Sequence, residues 1–455
     1  MSRSPSPRRT LLTLMIAAAV VLALPAIASA ESYVLTAGKW GSKQDAAVAA
    51  AGGTVVWSHG KTGIAVVTSD APGFAAAAQA SGAFQSATQD VQVQWQPDAA
   101  GREQAITPGD EARFPIQWHL QAVEAPAAWA EGCTGAGARV AINDGGIYDI
   151  HPDIEPNLDK ACSVSFVPGQ PYNFDTGTFW HGTHVAGIVA SADNGFGMLG
   201  VAPEATLIGV KVLHNGSGTF GQVIGGILYA ADPAAFGLPQ CAPADIINMS
   251  LGALFQKSAP GGGQLVGAVA KAVNYAASKG VLVVSAAANN GLDLGQLFDV
   301  TAVPCESGSG LCVSATGPVG FAQGATNFRR PASYSNFGEG TITVAGPGGD
   351  FVLPGSAVCT VAGVTQFCWV FDMVFSPCRG PLSSPPGFFG CWAAGTSMAT
   401  PAVSGVAALI KGANPGISLG ALKAKLQQTA DDEGANGHDE FYGHGFVNAF
   451  RACTE

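Results

Sequence analysis

Residues 263–287, GQLVGAVAKAVNYAASKGVLVVSAA, decide the fold class. A helical segment over 263–279 runs into 281–287, a short continuous apolar run of the kind that forms a strand buried on both faces. The same pairing recurs along the chain. Short apolar strand runs lie at 139–143, 206–213, 245–249 and 342–344, with helical segments at 184–191, 220–231, 398–411 and 419–429. Strands alternating with helices predict an α/β domain with a mainly parallel sheet covered on both faces. In that architecture functional residues gather at the carboxyl ends of the strands.

Upstream the pattern is different. Residues 31–96 read as strand 33–36, helix 43–51, strands 54–57 and 64–67, helix 73–80 and an alternating strand 91–95. That β-α-β-β-α-β order is the order of a small ferredoxin-like α+β unit. Residues 97–115 hold Pro97, Gly101, Pro108, Gly109 and Pro115 among polar residues, which is linker composition. The first 30 residues carry Arg3, Arg8 and Arg9, an apolar run over 11–27, and Ala28-Ser29-Ala30, the three parts of a secretory signal peptide. Residues 116–455 remain for the large α/β domain.

The 455 residues are 47% hydrophobic and 12% charged, ample for a large core and too weakly charged for a disordered or coiled-coil chain. The formal net charge of −11 disfavours a nucleic-acid partner, because it repels phosphate. No stretch beyond the signal is long and apolar enough to span a bilayer, so the mature chain is expected to be secreted, soluble and monomeric. All ten cysteines lie between Cys133 and Cys453. An even count in an exported chain favours disulfides. Three short loops invite local bridges: Cys305 with Cys312, Cys359 with Cys368, and Cys378 with Cys391.

Three segments carry chemistry. Asp144 follows the strand 139–143 and precedes Gly145-Gly146. His181-Gly182-Thr183-His184-Val185-Ala186-Gly187 opens a helix, and Gly395-Thr396-Ser397-Met398-Ala399-Thr400-Pro401 opens another. Acyl transfer by serine needs a hydroxyl, an imidazole to take its proton, and a carboxylate to orient the imidazole and stabilise its cation. Each segment alone has a plainer reading. Asp144 could end an ordinary turn, His181 and His184 could form a metal pair, and Ser397 could be an N-cap. Their joint occurrence in the order Asp, His, Ser is much harder to explain structurally.

These segments resemble the histidine and serine signatures of the subtilisin-like serine proteases, a family that also serves as a standard triad example. The resemblance covers residues 117–449. It implies a secreted serine endopeptidase with Asp144 as orienting carboxylate, His181 as general base and Ser397 as nucleophile, and no cofactor for catalysis. The run 281–291 is similar to the family strand ending in the oxyanion-hole asparagine, which implies Asn289, with Asn290 the neighbouring candidate. Gly216-Ser217-Gly218 and Ser250-Leu251-Gly252 look like the segments between which the family lays an extended peptide or protein substrate. Asp153 and Asn194 match parts of a structural calcium site in some relatives. Residues 31–96 resemble the inhibitory propeptide that assists folding and occupies the site until removed. Two departures stand out: Gly145 where relatives often have Ser or Thr, and Ala288 where a glycine often precedes the asparagine. The longer stretch 351–392, with four cysteines, reads as a stapled structural loop or a lid near Ser397.

Overall fold

The computed structural model describes residues 30–96, 102–106, 113–352, 354–381 and 388–455. Residues 1–29 of the expected signal peptide, and most of the 97–115 linker, lie outside them. The amino-terminal unit runs β1 (Glu31–Thr36), α1 (Ser42–Ala50), β2 (Gly53–His59), β3 (Ile64–Ser69), α2 (Phe74–Ala80) and β4 (Ser86–Gln89). Its sheet is antiparallel with order β2-β3-β1-β4, the ferredoxin-like arrangement. Strand alternation gives it two apolar faces. Tyr33 and Leu35 pack with Val67 and Phe74 inside the unit, while Val34 and Ile64 join the core of the large domain.

One expected element is placed differently. The fourth strand of this sheet is Ser86–Gln89, and β5 (Gln92–Gln94) leaves the sheet to pair antiparallel with Ser217–Thr219. The alternation over 91–95 is that of a real strand, but a period of two does not specify which edge the strand will join. A further strand, β6 (Arg102–Ile106), follows.

The large domain begins with α3 (Trp118–Ala122) and α4 (Ala125–Ala130). It continues through β7 (Arg139–Asp144), β8 (Val164–Ser165), α5 (His181–Ala190), β9 (Thr206–Lys211), β10 (Ser217–Thr219), α6 (Phe220–Ala231) and β11 (Ile246–Met249). After β12 (Ala253–Gln256) come α7 (Gly262–Ser278), β13 (Leu282–Ala286), β14 (Val300–Val303), β15 (Leu311–Thr316) and β16 (Val344–Pro347). Seven strands form one sheet of order β16-β15-β13-β11-β7-β9-β8, and every pairing in it is parallel. Along β7, Val140 and Ile142 enter the core on one face and Ala141 the core on the other; Leu282 and Val284 against Val283 repeat the pattern in β13. The first face is covered by α5 and α8 (Thr396–Ala413), the second by α6 and α7. The chain closes with α9 (Leu419–Gln428) and α10 (Ala449–Thr454).

The stretch 351–392 forms a layer of its own. A hairpin, β17 (Val358–Val361) and β18 (Val364–Phe367), is closed by Cys359–Cys368. Strands β19 (Val374–Cys378) and β20 (Phe388–Ala393) are joined by Cys378–Cys391, and β6 completes a sheet of order β19-β20-β6. Phe371, Phe375 and Trp392 are fully buried in this layer. Helix α5 holds it: His184 Nε2 lies 2.9 Å from the Cys391 carbonyl, and the Ser376 hydroxyl donates to the His184 carbonyl at 2.8 Å. The remaining cysteines form Cys305–Cys312, Cys162–Cys241 and Cys133–Cys453, the last closing a separation of 320 residues.

Candidate active site

Asp144, His181 and Ser397 come from three elements: the last residue of β7, the first of α5 and the second of α8. Asp144 is buried at the carboxyl edge of the sheet, where the turn after β7 brings its Oδ1 within 2.6 Å of the Gly145 N–H. His181 Nδ1 stands 3.0 Å from each Asp144 carboxylate oxygen. Ser397 opens α8, so its backbone N–H is among those left unpaired by the helix start, where the dipole favours negative charge. Its hydroxyl donates to the Ser250 carbonyl at 3.2 Å.

Asn289 faces the same space. Its Oδ1 accepts from the backbone N–H and the hydroxyl of Thr396, both at 2.9 Å, which leaves the amide NH2 as the free end. With Ser397, Ala288 and Leu254 it lines a cavity of about 330 Å³ whose wall carries no charged side chain. Two backbone outliers aim these groups. Trp180 (φ 46°) directly precedes His181, and Ala288 (φ 70°) directly precedes Asn289. Non-glycine residues in the left-handed region cost on the order of 1–3 kcal/mol and cluster where function sets the geometry.

Gly216-Ser217-Gly218 and Ser250-Leu251-Gly252 flank an extended stretch of this same chain. Ser217 pairs with Gln94 and Gly218 with Val93. The N–H groups of Trp95 and Gln96 donate to the Gly216 carbonyl at 2.9 and 3.2 Å, and the Gly252 N–H donates to the Trp95 carbonyl at 3.0 Å. The Trp95 indole, 1% exposed, donates to the Gly218 carbonyl and packs against Phe220 and Phe255. Gln96 Nε2 reaches the centre, 3.1 Å from Asp144 Oδ2, 2.9 Å from His181 Nδ1 and 3.3 Å from the Ser250 carbonyl.

Residues 135–445 match the model of the Subtilase family. The chain belongs to that family. It is 35% identical to Subtilisin Savinase of Lederbergia lenta over 335 residues, 73% of this chain and 97% of that one. A protease of Pseudoalteromonas arctica superposes with a TM-score of 0.60 at 28% identity, covering 76% of this chain and 99% of that one. The epidermin leader peptide processing serine protease of Staphylococcus aureus shares the fold over 93% of this chain and 98% of its own, with a TM-score of 0.70 at 19% identity. This subtilase is accordingly a serine-type endopeptidase.

The calcium expectation meets a different geometry in this subtilase. Asp153 Oδ2 accepts the Met198 N–H at 3.2 Å. Asn194 Oδ1 accepts the Phe196 N–H at 3.0 Å while its amide donates to the Pro152 carbonyl at 2.9 Å. Both side chains brace the loop 193–198 through backbone groups. Among the described residues no group of three or more His, Cys, Asp or Glu side chains gathers. A calcium cage takes about six to eight oxygens, carbonyls included, and calcium binding by Asp153 and Asn194 is not shown.

Three residues of the site were not singled out from sequence. Gln96 contacts His181 across 85 positions, and Lys211 and Asp175 meet the turn after Asp144 from other elements. A lysine ending an apolar strand was the available signal for Lys211, since a buried lysine demands a partner.

Proposed function

We propose that this subtilase is an exported zymogen in which Asp144, His181 and Ser397 form the catalytic triad, held by its own segment 31–96 until the chain is cut in the 97–115 region. The observation that carries the reading is the passage of residues 92–96 through the cleft as an added strand, ending with Gln96 against the Asp144–His181 pair. A substrate laid on the same two edges brings its carbonyl to Ser397. His181 takes the Ser397 proton as Oγ attacks, and Asp144 holds the imidazole and stabilises its cation. Charge then develops on the carbonyl oxygen between the Asn289 amide and the Ser397 N–H. Collapse releases the amine, protonated by His181, and water hydrolyses the acyl-enzyme with His181 again as base. Substrates are extended peptides or proteins, because the affinity comes from main-chain pairing.

Gln96 suits an inhibitory end. Its amide sits at the Asp144–His181 Nδ1 contact that orients the imidazole, and Ser397 meanwhile donates to the Ser250 carbonyl rather than to His181. No cysteine precedes Cys133, so no disulfide would keep segment 31–96 after the cut. Export rests on the signal-like first 30 residues. A serine-directed phosphonylating reagent tests the triad: the mature protein gains one adduct at Ser397, and His181→Ala suppresses labelling. A mature protein that binds peptides yet resists the reagent is a peptide-binding homologue without turnover.

A further inference from the structure

Lys211 ends β9 directly beside Asp144, its register partner at the end of β7. Its side chain is fully buried, a costly position unless the ammonium is satisfied. Nζ donates to the carbonyl of Gly145, the residue after Asp144, and stands 3.9 Å from Asp175 Oδ1. Asp175 is itself buried and accepts the N–H groups of Thr176 and Asn215, both at 2.9 Å, with His214 Nδ1 at 3.3 Å. Asn215 leads straight into the Gly216–Gly218 edge on which residues 92–96 lie. The fit is close at 145, where a Cβ would push against Asp175 Oδ2, so any larger residue there would have to displace that carboxylate.

We propose that the buried Lys211–Asp175 pair is a positioning device for peptide hydrolysis. Lys211 holds the turn that carries Asp144, and Asp175 holds the start of the substrate-binding edge, so the orienting carboxylate and the bound backbone keep one relative geometry. The proposal rests on the triad reading above. Neither residue touches the reacting atoms. Losing one member leaves the other charge buried and unpaired, which loosens the two turns they join.

The charged and titratable groups around the ammonium are Asp144 on β7, Asp175 ahead of α5, His214 across Asp175 and His181 across Asp144. Burial pushes Lys211 down to about 8, against the pull of Asp175 and Asp144. The ammonium is therefore present below that pH and lost above it. Turnover held by this pair declines as pH rises through about 8.

The test uses mature enzyme whose active fraction is first counted with the phosphonylating reagent, so that failure of the triad reading shows separately as an unreactive wild type. Lys211→Met is expected to lower kcat about 10- to 100-fold with KM for an extended peptide changed less than about twofold. Its kcat should also lose the decline near pH 8. Asp175→Asn is expected to raise KM about tenfold for an extended peptide while leaving KM for a minimal ester, too short to reach the Gly216–Gly218 edge, unchanged. Wild-type kcat and an unchanged alkaline limb in Lys211→Met overturn the proposal. So does an equal loss on long and short substrates in Asp175→Asn, the pattern of general loosening. If Lys211→Met does not fold, the long-against-short split in Asp175→Asn decides alone.

Discussion

Asn289 ties its oxygen to Thr396 and leaves its amide facing the cavity beside Ser397. In the proposed mechanism its contribution belongs to the transition state, where the carbonyl oxygen carries charge. Asn289→Leu is expected to lower kcat by roughly 10²- to 10³-fold while KM moves little, measured by steady-state kinetics on a peptide substrate. An equal rise in KM would place Asn289 in ground-state binding instead. At this scale the sequence was informative wherever a residue sits inside its own local motif. Asp144, His181, Ser397 and Asn289 each follow or open a recognisable strand or helix. Lys211 and Asp175 were silent because each acts through a partner far along the chain, and a buried charge has no local signature.

Elements were legible by period, and less so by partner. The helix at Phe220–Ala231 falls where its pattern put it, and α5 starts at His181, the residue read as opening a helix. Strand 311–316 passed unread although it lies between β13 and β16 in the sheet. Strand β5 was read as a strand but assigned to the wrong sheet, since alternation does not choose an edge. The insert's β20 also leans on buried histidines. His151 Nε2 lies 3.2 Å from the Phe389 carbonyl, and His184 holds the Cys391 carbonyl. Burial pushes His151 down to about 4 and both His119 and His184 down to about 3. An unfolded chain takes up these protons below its histidine pKa of about 6.5, while the folded chain does not. Stability present above pH 6.5 is therefore lost as pH falls toward 4, at up to about 1.4 kcal/mol per pH unit for each histidine. Urea midpoints should drop between pH 7 and pH 4.5, and His151→Gln should flatten that drop. A flat wild-type profile contradicts this.

Over the whole molecule, the amino-terminal unit is docked by a few specific contacts as well as by its apolar face. Asp90 accepts the Gly221 N–H at the start of α6, Lys271 donates to the Ala37 carbonyl, and Lys61 pairs with Asp232 at 3.1 Å. Lys61 is largely exposed, so that pair adds little, and most of the hold comes from Val34, Ile64 and Trp95 in the large domain's core. On the proposed zymogen reading, this interface holds segment 31–96 against the large domain until the chain is cut. Most direct is the comparison of intact mass and amino-terminal residue for secreted wild type and Ser397→Ala. Self-processing predicts that wild type begins within about residues 97–116 and that Ser397→Ala keeps segment 31–96 attached. Identical, fully processed ends in both proteins would contradict it, because the cut would then be made without Ser397.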